Sequence, residues 1–113
     1  MRRWPLALLV AVHGCTASDP AGQTPDAWLG RWTGPEGTYM ELAGANGTYE
    51  VTIKDLDAAR TFTGAAVADR IEFRRDGATE SMRATNGDAT GMKWLAGKTI
   101  CLTIKPGEGY CRD

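Results

Sequence analysis

From Trp28 to its end the chain is broken by turn signals about every eight to twelve residues, and between them apolar and polar residues alternate. A period of two is the mark of strands with one buried face. In "TYEVTIK" Tyr49, Val51 and Ile53 fall on one face, while Glu50, Thr52 and Lys54 fall on the other. "RTFTGAAV" turns at Asp69 into "RIEFRR", where Ile71 and Phe73 alternate with Arg70, Glu72 and Arg74. "AGANG" joins "TYMEL" to "TYEVTIK", "DG" at 76–77 leads into "TESMRAT", and "KPGEG" joins "KTICLTI" to "GYCR", all hairpin signals. No long helical period appears, and only Ala89 to Ala96 has room for a turn or two. The pattern of seven or eight short strands predicts an all-β fold, a small antiparallel meandering β-barrel or a sandwich, of which the barrel is the preferred reading.

The start of the chain has a different character. Arg2 and Arg3 precede a short apolar run from Leu6 to Val12, followed by small residues, which is the order of an export signal. The run is much shorter than the roughly 20 residues of a spanning helix. Its end, "VHGC", resembles the lipobox of bacterial lipoproteins, with Val12, Gly14 and Cys15 in the matching places. That resemblance implies a cleaved signal over residues 1–14, diacylglycerol on Cys15 and acylation (palmitate) of the new N-terminus. Several acyl chains hold a protein at a membrane where one does not. Thr16 after the cysteine, rather than Asp, implies sorting to the outer membrane, with the domain facing the periplasm of a bacterial envelope. "TASDPAGQTPD" then reads as a flexible tether over residues 15–26. The folded domain is expected over residues 27–113.

A domain this small is marginal without help. With Cys15 lipidated, Cys101 and Cys111 remain as an even pair in an oxidising compartment, which predicts a disulfide between facing strands. A closed loop of that size adds about 2.5–3 kcal/mol on the chain-entropy model.

Many chemistries are excluded by composition. His13, the one histidine, leaves with the signal, so a Ser-His-Asp triad, a Cys-His pair and histidine-bearing zinc sites are all ruled out. No Gly-rich phosphate loop precedes a helix. Asp55 and Asp57 in "KDLDAAR" lack the further oxygen ligands of a calcium loop and read as a turn. Without Arg2 and Arg3 the 13 basic residues fall to 11 against 14 acidic ones, a net charge of −3 that makes nucleic acid a poor partner. Arg70, Arg74, Arg75 and Arg83 are interleaved with Glu72, Asp76 and Glu80, the composition of a solvated face with cross-strand pairs. The chain is thus expected to be a binding protein without cofactor or metal, not an enzyme.

Two resemblances sharpen that expectation. "WLGRW" resembles the Gly-x-Trp opening of lipocalin-like barrels, with Gly30 and Trp32 in place. More specifically, "IEFRRDGATESMRATNGDATGMKWLAGKTICLTIKPGEG", residues 71–109, resembles the membrane-bound inhibitors of c-type lysozyme, small lipoproteins of the bacterial envelope. Ala89, Thr90, Gly91, Lys93, Trp94 and Gly97 occupy the family's inhibitory loop, and Lys105 occupies the place of its turn lysine. Thr90 stands where the family has serine, Met92 replaces a smaller residue, and Trp94 stands for tyrosine. The resemblance implies a loop that plugs the lysozyme cleft, where two carboxylates lie. Thr90 and Lys105 are then the acting pair, with Gly91 letting the backbone approach and Lys93 and Trp94 in support. Two further readings stand beside it. "ATGMKWLAG" can be a cap on the barrel, with Met92, Trp94 and Leu95 closing one end. A lipocalin-like lipoprotein holding a small apolar ligand, or serving a structural role in the envelope, would instead need an open barrel lined by Tyr49, Val51, Ile53, Ile71 and Phe73.

Overall fold

The computed structural model describes residues 25–112. The expected export signal, Cys15 and most of the expected tether lie outside the described residues. Eight strands follow one another, β1 (Gly30–Thr33), β2 (Tyr39–Ala45), β3 (Thr48–Lys54), β4 (Ala59–Val67), β5 (Arg70–Arg75), β6 (Ala78–Thr85), β7 (Cys101–Lys105) and β8 (Glu108–Cys111). Each pairs antiparallel with the next, and β8 returns to β1, so the meander closes into a barrel as the alternation predicts.

The turns carry their own chemistry. Asn46 and Gly47 have φ of 58° and 87°, and Asp76 and Gly77 have φ of 53° and 84°, the left-handed pairs that suit the twist of a two-residue hairpin. "AGANG" is therefore mostly strand, because β2 runs on through Gly44 to Ala45 opposite Thr48. The segment before β7 shows the opposite change: Lys98 to Ile100, expected in the strand, precede it. Asp55 and Asp57 form the expected turn, with the Asp55 carboxylate accepting from the Asp57 and Ala58 amides at 2.7 and 2.9 Å.

The interior is filled by side chains. Tyr49, Val51, Ile53, Ile71 and Phe73 join Trp32, Met40, Leu42, Met82, Leu102, Ile104 and Tyr110 in one cluster, none more than 9 % exposed. A barrel of eight strands has about enough interior for its own side chains. Packing is tight enough to demand glycine at position 64, where an added Cβ would lie 2.9 Å from Ile71 and 3.1 Å from Val51.

Trp32 closes the bottom of this core. Its indole donates to the Trp28 carbonyl at 2.8 Å, and the Arg112 guanidinium stacks 4.0 Å from its ring centroid. Arg112 also donates to the carbonyls of Leu29 and Ala27, tying the last strand to the entry segment. The entry segment itself starts earlier than its composition indicates. Pro25 is buried and Asp26 accepts hydrogen bonds from the Tyr49 hydroxyl and the Asn46 amide, so both belong to the fold rather than to the tether.

Two arginines of β5 form ion pairs, while Arg74 donates to the Thr79 hydroxyl and the Gly77 carbonyl. Arg70 meets Glu72 at 2.8 Å, and the half-buried Arg75 holds both Glu80 and Glu108, at 3.0 and 2.7 Å. Arg60 on β4 pairs with Asp76.

Burial, with the Glu108 charge adding to it, pushes the Tyr110 hydroxyl from its ordinary 10.0 up to about 12. Burial and the Asp26 hydrogen bond raise Tyr49 as well. A raised tyrosine pKa favours the neutral, folded form, so this stability is complete below pH 10 and is lost as pH climbs towards 12. Denaturant midpoints between pH 8 and 12 should fall over that interval. Tyr110→Phe should flatten the fall and leave the smaller part due to Tyr49.

Candidate partner-binding site

Between β6 and β7 residues 86–100 form a braced loop with two 3₁₀ turns, Asp88–Thr90 and Lys93–Leu95. Gly87 closes its base by donating to the Lys98 carbonyl at 2.8 Å. A side chain there would strike the Leu95 carbonyl. Asn86 accepts from the Ala89 amide at 2.9 Å, and Asp88 from the Gly97 amide at 3.0 Å. Short polar side chains thus satisfy backbone donors that an irregular segment would otherwise leave unpaired.

The loop lies over the outer face of the β7–β8 hairpin. Cys101 stands directly opposite Cys111, and the two form a disulfide. The neighbouring pair, Leu102 and Tyr110, points into the main core, so the disulfide faces outward. There Leu95 and Met92 cover it in a second small cluster, leaving both cysteines 1 % exposed. Thr90 fits over Gly109, where a Cβ would come within 2.7–2.8 Å of its side chain. Its carbonyl accepts from the Gly107 amide at 2.7 Å. The Met92 sulfur lies 3.2 Å from the Gly109 amide. The loop is docked, not free.

This docking decides what each predicted residue can do. Thr90, expected to meet a partner, is completely buried. Its hydroxyl donates to the Gly87 carbonyl at 2.6 Å and accepts from the Met92 amide at 3.0 Å, so its one donor and one of its acceptor sites are already used inside the loop. Thr90 is a brace, because the space left by Gly109 draws it inward. Gly91 is exposed at φ 73° and continues the chain out of the first turn. Lys93, Trp94 and Lys105 are exposed, and neither lysine makes an ion pair among the described residues. Trp94, 71 % exposed, does not close the barrel; of the three residues of the expected cap, Met92 and Leu95 pack and Trp94 stands out.

Trp94 also forms one wall of a groove of about 360 Å³ at the barrel end formed by the β1–β2, β3–β4 and β7–β8 connections. Leu56, 66 % exposed, lines the same groove with Pro35, Met92 and Tyr110, and Glu36, Asp55 and Glu108 supply carboxylates. Sequence reading missed Leu56, Glu36 and Glu108 as parts of this surface. An exposed leucine in a turn otherwise made of aspartates and alanines, "DLDAA", was the available signal. Large apolar side chains held out of the core on built loops mark contact surfaces. No cluster of metal-ligating side chains occurs among the described residues.

Thr90→Val removes both hydroxyl bonds and should loosen the loop by about 1–3 kcal/mol, whereas Thr90→Ser should retain them. Limited trypsin digestion reads this directly: cleavage after Lys93 or Lys98 should quicken in the valine variant and stay slow in the serine variant. Equal cleavage in all three proteins would mean that the hydroxyl does not brace the loop.

Compared with protein-family models, curated proteins and solved structures, the chain matches none, so its site is read from its own geometry.

Proposed function

We propose that this chain is a protein-binding lipoprotein of the bacterial outer membrane, anchored through lipid on Cys15, that inhibits c-type lysozyme by presenting the 86–100 loop to the enzyme's cleft. The observation that carries the reading is Trp94, 71 % exposed on a loop that is otherwise locked onto the β7–β8 hairpin. A rigid aromatic anchor costs little entropy on binding and is the commonest kind of interface hot spot.

Lys93, next to this anchor in the chain, and Lys105, at the end of β7, are exposed and make no ion pair among the described residues, which suits a cleft whose floor bears two carboxylates. In this reading Thr90 acts indirectly. It sets the loop's shape, while the lysines supply the charge. A net negative domain facing a generally basic enzyme would also raise the association rate. The filled interior supports this reading over the carrier of a small apolar ligand, since the five residues that would line an open barrel are packed together in the core.

The test is inhibition of a c-type lysozyme by the disulfide-bonded soluble domain, residues 25–113. Wild type should inhibit. Trp94→Ala should weaken inhibition by about 30-fold or more, the scale of an interface hot spot. Lys105→Ala and Lys93→Ala should each cost up to about tenfold, as expected for charge-assisted contacts, and Thr90→Ser should cost little. No inhibition at micromolar protein with an intact circular dichroism spectrum, or inhibition indifferent to Trp94→Ala, would overturn the proposal.

A further inference from the structure

The groove beside Trp94 carries charge of the sign opposite to the lysines around it. Three acidic residues line it, Glu36, Asp55 and Glu108, and no cation among the described residues does. Glu108 is already committed, since both of its oxygens accept from Arg75 at 2.7 Å. Glu36 and Asp55 make no ion pair among the described residues. Of the cations near Asp55, Arg60 holds Asp76 and Lys54 donates to the Asp55 main-chain carbonyl at 2.9 Å, while Lys93 and Lys105 are not part of the groove's lining. Asp55 is kept in its ionised form, its pKa lowered first by the Ala58 amide and then by the Asp57 amide. Thr38 adds a hydroxyl, and Leu56, Met92, Trp94 and Tyr110 supply apolar and aromatic surface beside the acidic residues.

A planar cation with an aliphatic stem fits this combination. A guanidinium can lie against an indole face and still direct its N–H groups sideways to carboxylates, which a compact ammonium does less well. Its methylene stem can lie along apolar walls while the charge stays at the rim.

We infer that the groove between Trp94, Leu56 and the carboxylates of Glu36 and Asp55 receives an arginine side chain from the partner protein. This rests on reading this end of the barrel as a docking face, and not on the partner being lysozyme. A partner would then meet an outgoing lysine and an incoming arginine side by side, an arrangement that fixes orientation as well as adding contact.

The experiment uses a small probe, so that it stands apart from inhibition. Nα-acetyl-arginine amide is titrated into ¹⁵N-labelled domain, with Nα-acetyl-citrulline amide as the uncharged counterpart of the same shape. The arginine probe should shift the Trp94 indole N–H and the amides of Asp55 and Leu56 saturably. The citrulline probe should not. The variant Glu36→Gln/Asp55→Asn should bind about fivefold more weakly, the sum of two exposed ion pairs. It should stay folded, because an asparagine oxygen at 55 can still accept from the two turn amides. Equal shifts by both probes, shifts scattered over the barrel, or unchanged affinity in the double variant would each overturn the inference. Saturable arginine binding without lysozyme inhibition would keep the groove and remove lysozyme as the partner. Inhibition without arginine binding would do the reverse.

Discussion

The barrel closes on one backbone pairing, Thr33 opposite Cys111, while every other neighbouring pair of strands shares at least three. A seam that narrow cannot hold β8 in place by itself, and three reinforcements converge on it. The Thr33 hydroxyl donates to the Cys111 carbonyl at 3.1 Å. Arg112, next in the chain, spans the seam by bonding Ala27 and Leu29 and stacking on Trp32. The disulfide from Cys111 to Cys101 fixes β8 to β7 on the other side. A chain-entropy contribution of about 2.5–3 kcal/mol is a large share of what so small a domain can spare.

The end of the barrel that carries the groove depends on that same hairpin. Because the disulfide faces outward, it needs cover, and the 86–100 loop provides it with Leu95 and Met92. Once the loop is drawn across β7–β8, its Thr90 carbonyl meets the Gly107 amide, and Trp94 is left beside the groove at the barrel's end. Met92 and Leu95 of this segment thus supply the cover, while Lys93 and Trp94 between them stay exposed.

Much of the barrel was legible because a sheet with one buried face writes its period into the sequence. Tyr49, Val51 and Ile53 point inward as their spacing requires, and Asn46–Gly47 and Asp76–Gly77 turn as those pairs must. The disulfide followed from counting. What was not legible is docking between segments distant in the chain. Thr90 is polar, sits among glycines and reads as exposed; only the missing side chain of Gly109, on a strand not adjacent in sequence, makes the space that buries it. Asp26 has the composition of a tether, and its role appears only when Tyr49 is seen to reach it. The acidic groove is assembled from several connections, so no single window of sequence contains it.

The central claim is that the loop is held in this shape before any partner arrives, and amide hydrogen exchange on the free domain tests it most directly. The Gly107 amide, bonded to the Thr90 carbonyl, and the Met92 amide, bonded to its hydroxyl, report the docking. Both should exchange on the timescale of the β7–β8 strand amides and slow together with them. Exchange of both at the rate of an open peptide, with the strands still protected, would show that the loop is undocked in solution and that Trp94 is not presented on a rigid frame.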